Sequence, residues 1–233
     1  MAERILPVTQ IIANSIRAVI FDLDGTLMDT SDEIAAALER TFADAELPGL
    51  PKKAVEALIG RGVPSLVERA LLQVGAAGLD LGATIRRFED HYAHTVGTAS
   101  HLFPGVLEGL QALARAEMPM GVVTNKPRYF TEKLLMRSGI AGFFATVVAG
   151  DDGIRRKPHG DMLLAACETM GSDPGQTLML GDSDNDILAA RAAGCPVWCV
   201  PYGYNEGRAP ETLACDRLVK SVEETAQLVL GQA

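Results

Sequence analysis

The sequence predicts an α/β protein: a three-layer domain built on a parallel sheet, with an all-helical insertion after its first strand. Three observations lead there. Short apolar strands alternate with helical patterns through the second half of the chain, residues 29–97 carry helical patterns only, and two apolar strands break directly into acidic turns, Asp22-Leu23-Asp24-Gly25-Thr26 and Gly181-Asp182-Ser183-Asp184-Asn185-Asp186. Alternation makes helices cross over between parallel strands and cover both faces of the sheet. Strands of that kind present their working residues at their carboxyl ends.

The first strand is Arg17-Ala18-Val19-Ile20-Phe21. Thr30 or Ser31 then caps a helix that begins Asp32-Glu33 and continues through Ile34, Ala37, Leu38, Thr41 and Phe42 at helical spacing. Carboxylates in its first turn suit its dipole. Helical patterns at 52–59, 64–74 and 84–96 follow, separated by Pro48-Gly49, Gly60-Arg61-Gly62 and the glycine-containing stretch 75–82. Beyond them, helices at 106–116, 129–138, 161–170, 187–193 and 222–230 alternate with strands at 120–123, 145–149, 177–180, 196–200 and 218–219. The expected division is a core of 1–28 with 98–233 and a helical domain of 29–97.

At 233 residues and 48% hydrophobic content the chain can bury a core of this size. Its 21 basic and 30 acidic residues give a formal charge of −9 with no basic block, which argues against nucleic acid or an anionic membrane as partner. Any bound anion must be met by a local positive site. No window approaches the ~18 apolar residues of a membrane span. The amino terminus, with Glu3-Arg4 and no long apolar run, does not read as a signal peptide. Cys167, Cys195, Cys199 and Cys215 lack CxxC spacing and read as reduced thiols; zinc at Cys195 and Cys199 would need partners that nothing nearby supplies. A cytoplasmic location is expected.

The chemistry is concentrated at strand ends. Asp22 and Asp24 repel each other, and that arrangement is favourable when a cation or a shared proton compensates, with a hard divalent ion the natural partner. An EF-hand also opens Asp-x-Asp-Gly and would place Glu33 at its twelfth position, but apolar Leu27 and Met28 inside the loop argue against it. A solvated turn is the plain alternative. Thr124-Asn125-Lys126-Pro127 presents a hydroxyl, an amide and a helix start, all suited to an oxyanion, with helix capping by Thr124 as the competing reading. In Arg155-Arg156-Lys157-Pro158-His159, basic residues precede a helix whose dipole favours acids, so one of them, Lys157, serves something else or is merely solvated. Asp182 falls at a strand end and Asp186 one turn into the next helix. Asp182 can share a cation with Asp22 and Asp24 if the strands are neighbours, and capping accounts for Ser183 or Asp184 better than for Asp182.

Taken together, Asp22-Leu23-Asp24-Gly25-Thr26, Thr124, Lys157 and Gly181-Asp182-Ser183-x-x-Asp186 resemble, in order, the motifs of haloacid-dehalogenase-superfamily phosphatases. The resemblance covers roughly residues 17–230. It implies a Rossmann-like core with the motifs at adjacent strand ends and a mobile helical cap. It also implies Asp22 as nucleophile, Asp24 as general acid and base, and Mg2+ held by Asp22, the Asp24 carbonyl and Asp182, with Asp186 behind them. Thr124 and the Asn125 NH would hold phosphoryl oxygens, and Lys157 would neutralise charge on nucleophile and phosphate. Within the superfamily, Gly60-Arg61-Gly62, Phe103-Pro104-Gly105-Val106 and Tyr202-Gly203-Tyr204-Asn205 are similar to segments of bacterial phosphoglycolate phosphatases. Phosphatases of sugar phosphates, including amino-sugar 6-phosphates, carry similar segments. A phosphomutase or a phosphate-binding regulator without turnover is a further alternative. Arg61 would pair with a substrate carboxylate or stand as a solvated turn residue. Gly160 replaces a proline common after Lys-Pro-His and would loosen the start of that helix. The expected partner is a small phosphorylated metabolite, and the expected state a monomer or homodimer.

Overall fold

β1 (Ala18–Phe21) is buried along its whole length and lies at the centre of a six-stranded parallel sheet. In this computed structural model residues 15–231 are described, so the amino-terminal reading for 1–14 lies outside the described residues. The other strands of the sheet are β4 (Met120–Val123), β5 (Thr146–Val148), β6 (Thr177–Gly181), β7 (Val197–Cys199) and β8 (Arg217–Leu218), in the order β5-β4-β1-β6-β7-β8. The chain runs outward from β1 through β4 to β5, then returns across β1 to β6. That reversal places a switch point beside β1, where a crevice opens outside the carboxyl ends of the strands.

Successive strand residues point to opposite faces, and the core divides accordingly. Val19 and Phe21 pack with Leu110 of α5 (Val106–Arg115), Leu134 of α6 (Arg128–Arg137) and Ala226 of α9 (Val222–Val229). Ile20 packs on the other side with Met162 of α7 (Asp161–Met170) and Ala190 of α8 (Asp184–Ala193). These are the three expected layers. All four cysteines are free thiols. Among the described residues no helix is long and apolar enough to cross a membrane.

The helical cap consists of α1 (Ser31–Ala43), α2 (Lys52–Glu56), α3 (Val63–Gln73) and α4 (Leu81–Thr95). It is joined to the core through an antiparallel ribbon of β2 (Met28–Asp29) and β3 (His101–Leu102), a pairing not anticipated because two residues are too few to show a period. Glu33 locks the neck. Its buried carboxylate accepts hydrogen bonds from the Tyr92 hydroxyl at 3.1 Å, the Gly97 NH at 2.8 Å and the Ser100 NH at 3.3 Å, so it does far more than complement a helix dipole.

Several local expectations are corrected. The side chains of Thr30 and Ser31 do not cap α1: Asp29 Oδ1 accepts from the Ser31 NH at 3.0 Å and Ser31 Oγ at 2.7 Å, while Thr30 Oγ1 turns to Asp24. Helix 52–59 stops at Glu56 and leads by turns into Gly60 and Gly62, with φ of 115° and 81°. Helix 84–96 starts earlier, at Leu81, because Asp80 accepts from the Ala83 NH. α7 begins directly at Asp161, and a Cβ on Gly160 would lie 2.7 Å from the Ala193 nitrogen, so glycine there lets α7 abut the end of α8.

Candidate active site

Because β4 and β6 flank β1, the residues that follow these three strands meet at one edge of the sheet. Asp22 leaves β1 with its NH donated to the Leu180 carbonyl at 2.9 Å, and its Oδ1 lies 2.8 Å from Lys157 Nζ. The buried Lys157 ammonium also donates to Asp186 Oδ1 at 2.7 Å and to the Val123 carbonyl at 2.9 Å. An ammonium has three protons, and these three acceptors take them all. Burial works against the charge on Lys157, but Asp186 and Asp22 outweigh it and hold the group above its ordinary pKa.

Asp186 Oδ2 accepts from the NH groups of Asp182 and Ser183, each at 3.1 Å, and from Ser183 Oγ at 2.8 Å. With both oxygens committed, Asp186 fixes the lysine and the end of β6 from behind. Asp182 Oδ1 accepts from Thr26 Oγ1 at 3.1 Å, and Oδ2 from the Tyr204 NH at 2.8 Å and the Asn205 NH at 3.4 Å. Gly25 permits this approach: its φ is +88°, and a Cβ would lie 2.5 Å from Asp182 Oδ2.

Carboxylate oxygens of Asp22, Asp182 and Asp186 lie within 4.8 Å of one another. Burial pushes Asp22 up to about 7 against the pull of Lys157, with Asp186 and Asp24 adding to the rise. Burial, then the charges of Asp186 and Asp22, pushes Asp182 well above the usual carboxylate range. Crowded buried carboxylates with an all-oxygen donor set are what a hard divalent cation stabilises, so these residues fit a divalent metal. Asp22, Asp182 and Asp186 are the carboxylates that could hold it. The Asp24 carbonyl, being backbone, falls outside this side-chain group.

Asp24 has different company. Lys126 Nζ donates to its two oxygens at 2.9 and 3.0 Å, and Thr30 Oγ1 donates to Oδ1 at 2.7 Å. Lys126 is buried and lies 4.9 Å from the Tyr92 ring centroid, in cation–π contact. Sequence reasoning missed this residue, although the signal that singled out Lys157, a cation just ahead of a helix, applied equally to it. Tyr204 was seen only as part of a similar segment. Its hydroxyl accepts from the Thr30 NH at 2.7 Å and donates to Asp29 Oδ1 at 2.9 Å, tying the Asp182 loop to the neck of the cap.

Thr124 does not cap α6. Its Oγ1 accepts from the Lys126 NH at 3.2 Å, while the Arg128 NH at the helix start donates to Asp151. Asn125 Nδ2 donates to the carbonyls of Gly60 and Lys157, both at 3.0 Å, which leaves Oδ1 buried with no hydrogen-bond partner. Thr124, Asn125, Lys126, Asp22 and Asp24 form the floor of a cavity roofed by Ile34, Ile59, Val63, Leu66, Phe88 and Tyr92, with the backbone of Gly60 and Gly62 at its side. Arg61 is not brought to this floor. Its guanidinium makes a two-pronged pair with Glu206, Nε to Oε1 at 2.8 Å and Nη2 to Oε2 at 2.7 Å, bridging cap and core at a half-exposed position.

A Rossmann-like sheet with a carboxylate cluster at its strand ends and a helical cap over it defines a class of hydrolases, and residues 19–200 match the haloacid dehalogenase-like hydrolase family. The chain belongs to that family. Over 217 residues it is 42% identical to the phosphoglycolate phosphatase of Thiobacillus denitrificans, covering 92% of this chain and 96% of that one. It superposes with a TM-score of 0.87 on the crystal structure of a predicted phosphoglycolate phosphatase from Haemophilus somnus, at 30% identity over 92% of this chain and 98% of the other. CbbY from Rhodobacter sphaeroides, crystallised with phosphate, gives a TM-score of 0.76 at 25% identity over 90% and 96% of the two chains.

Proposed function

We propose that this enzyme hydrolyses 2-phosphoglycolate to glycolate and orthophosphate with Mg2+ and an aspartyl-phosphate intermediate on Asp22. The observation that carries the reading is the division of labour at the end of β1. Asp22 and Asp24 are two residues apart, yet one is held by Lys157 and the other by Lys126 and Thr30.

A carboxylate oxygen of Asp22 attacks phosphorus and the ester P–O bond breaks, while Asp24 hands its proton to the departing alkoxide oxygen. Asp24 then takes a proton from water as that water attacks the phospho-aspartate, which releases orthophosphate and restores both carboxyls. In the first step Asp24 carries a proton on one oxygen, so the Lys126 grip on both oxygens loosens there. Thr124 Oγ1 and the Asn125 NH hold phosphoryl oxygens, and Lys157 fixes Asp22 in line and offsets the charge. Mg2+ would be held by Asp22, Asp182 and the Asp24 carbonyl, where it would supply charge neutralisation and orientation of the phosphoryl group. Residues 29–97 act as the cap and 1–28 with 98–233 as the catalytic core; the apolar roof keeps water other than the attacking one away.

Phosphate release by the purified protein over a panel of esters tests this. The expected result is the highest kcat/KM on 2-phosphoglycolate, abolished by a chelator and restored by Mg2+. Equal or better turnover of sugar phosphates overturns the substrate, and absence of Mg2+-dependent release overturns the hydrolase reading.

A further inference from the structure

Among the described residues lining the cavity Lys126 is the one basic side chain, and neither the metal site nor the phosphoryl cradle uses it. Lys157 has no proton to spare, since Asp22, Asp186 and Val123 take all three. Lys126 stands at the seam of floor and roof, with Asp24 on one side and the face of Tyr92 on the other. Above it the roof is apolar, and the carboxylate behind the Tyr92 hydroxyl, Glu33, carries the same sign of charge as an incoming anion. A negatively charged organic end entering this space needs a cation, because an unpaired buried charge is strongly disfavoured.

The distances also say which anion fits. When Asp24 protonates the leaving oxygen, that oxygen lies within hydrogen-bonding reach of Asp24, and Lys126 Nζ is within 3.0 Å of both Asp24 oxygens. A carboxylate one carbon from the leaving oxygen therefore falls within reach of the ammonium. Resting on the phosphomonoesterase reading above, we propose that Lys126 determines specificity: it leaves Asp24 to receive the carboxylate of a short phosphorylated hydroxy acid. An ester with an uncharged end gives it no partner and leaves it on Asp24.

The test compares kcat/KM for 2-phosphoglycolate, 2- and 3-phosphoglycerate and ethyl phosphate in the wild type, Lys126→Met and Lys126→Arg. The ratio of the best acidic ester to ethyl phosphate should fall about 100-fold in Lys126→Met, the scale for truncating one partner of a buried charge pair, and recover in part in Lys126→Arg. If both esters lose activity by the same factor, Lys126 acts only by holding Asp24 and the proposal is overturned; a wild type that does not favour acidic esters overturns it too. A wild type that favours a phosphoglycerate, with the preference lost in Lys126→Met, upholds Lys126 and overturns 2-phosphoglycolate as substrate. Should a variant be inactive on every ester, 3-phosphonopropionate and propylphosphonate binding decides: the proposal requires the wild type to favour 3-phosphonopropionate and Lys126→Met to lose that preference.

Discussion

The floor and the roof of the cavity are held together differently. The floor rests on strand ends whose buried charged side chains are locked by their neighbours: Lys157 by three acceptors, Asp186 by Lys157 and three donors, Asp182 by Thr26 and two backbone NH groups. The roof is a set of packed hydrophobic side chains on helices, tied to the core at a few polar points such as Arg61 to Glu206 and Asn125 to the Gly60 carbonyl. Phosphoryl transfer depends on placement within fractions of an ångström, and interlocked hydrogen bonds on strand ends supply it. A substrate has to enter and leave, and an apolar surface held by a few ties can part without dismantling the chemistry.

The largest effect expected from this contrast is at Asp22. Asp22→Asn keeps the shape but removes the proposed nucleophile, so phosphate release should fall at least ~10⁴-fold; robust turnover in that variant removes Asp22 from its role. Next is Lys157→Met. It strips Asp22 and Asp186 of their shared cation, and urea unfolding should show a loss of about 3–5 kcal/mol, the scale for breaking a buried pair. A loss below 1 kcal/mol would mean that the floor is not interlocked as described.

At the roof, Arg61→Ala removes a half-exposed pair, so stability should change by less than about 1 kcal/mol. KM for 2-phosphoglycolate should rise only a few-fold, because the guanidinium is spent on Glu206. A KM increase beyond tenfold would bring Arg61 to the substrate in the working enzyme and erase its distinction from the floor.

The smallest effect lies away from the cavity. Burial raises the Asp152 pKa, but hydrogen bonds from Arg128 and the Ala149 NH outweigh it and hold the carboxyl below its ordinary 3.8. A depressed carboxylate stabilises the fold fully above its unfolded value and loses that contribution as pH falls through its folded value. The stability gap between wild type and Asp152→Asn should therefore be constant near neutrality and shrink below pH ~4. A gap independent of pH would show that the pair contributes nothing ionic.

The strand ends were legible because a carboxylate there needs particular neighbours in the chain: an apolar strand before it and a glycine close by, Gly25 after Phe21-Asp22 and Gly181 just before Asp182. The helices at 161–170 and the strand at 120–123 match their predicted bounds, since both have clear apolar periods between strong stops. The ribbon of β2 and β3, the Glu33 lock and the Lys126–Asp24 pair escaped, because each joins residues 59 or more positions apart or rests on two-residue strands. The reading of Arg61 illustrates the limit. A glycine-flanked arginine stands out in the sequence, but which anion it meets depends on Glu206, 145 residues away.

From local sequence alone came the alternation that makes the sheet, the helical insertion and the acids that close β1 and β6, since strand period, helix period and turn chemistry are properties of neighbouring residues. Which lysine serves which aspartate was decided only when β4 and β6 were laid on either side of β1. Lys126 and Lys157 are chemically alike and both precede a helix. Parallel pairing brings Lys157 to Asp22 and Asp186 and leaves Lys126 to Asp24 and the cap, because charge pairing depends on distance in space, and the crossovers set that distance.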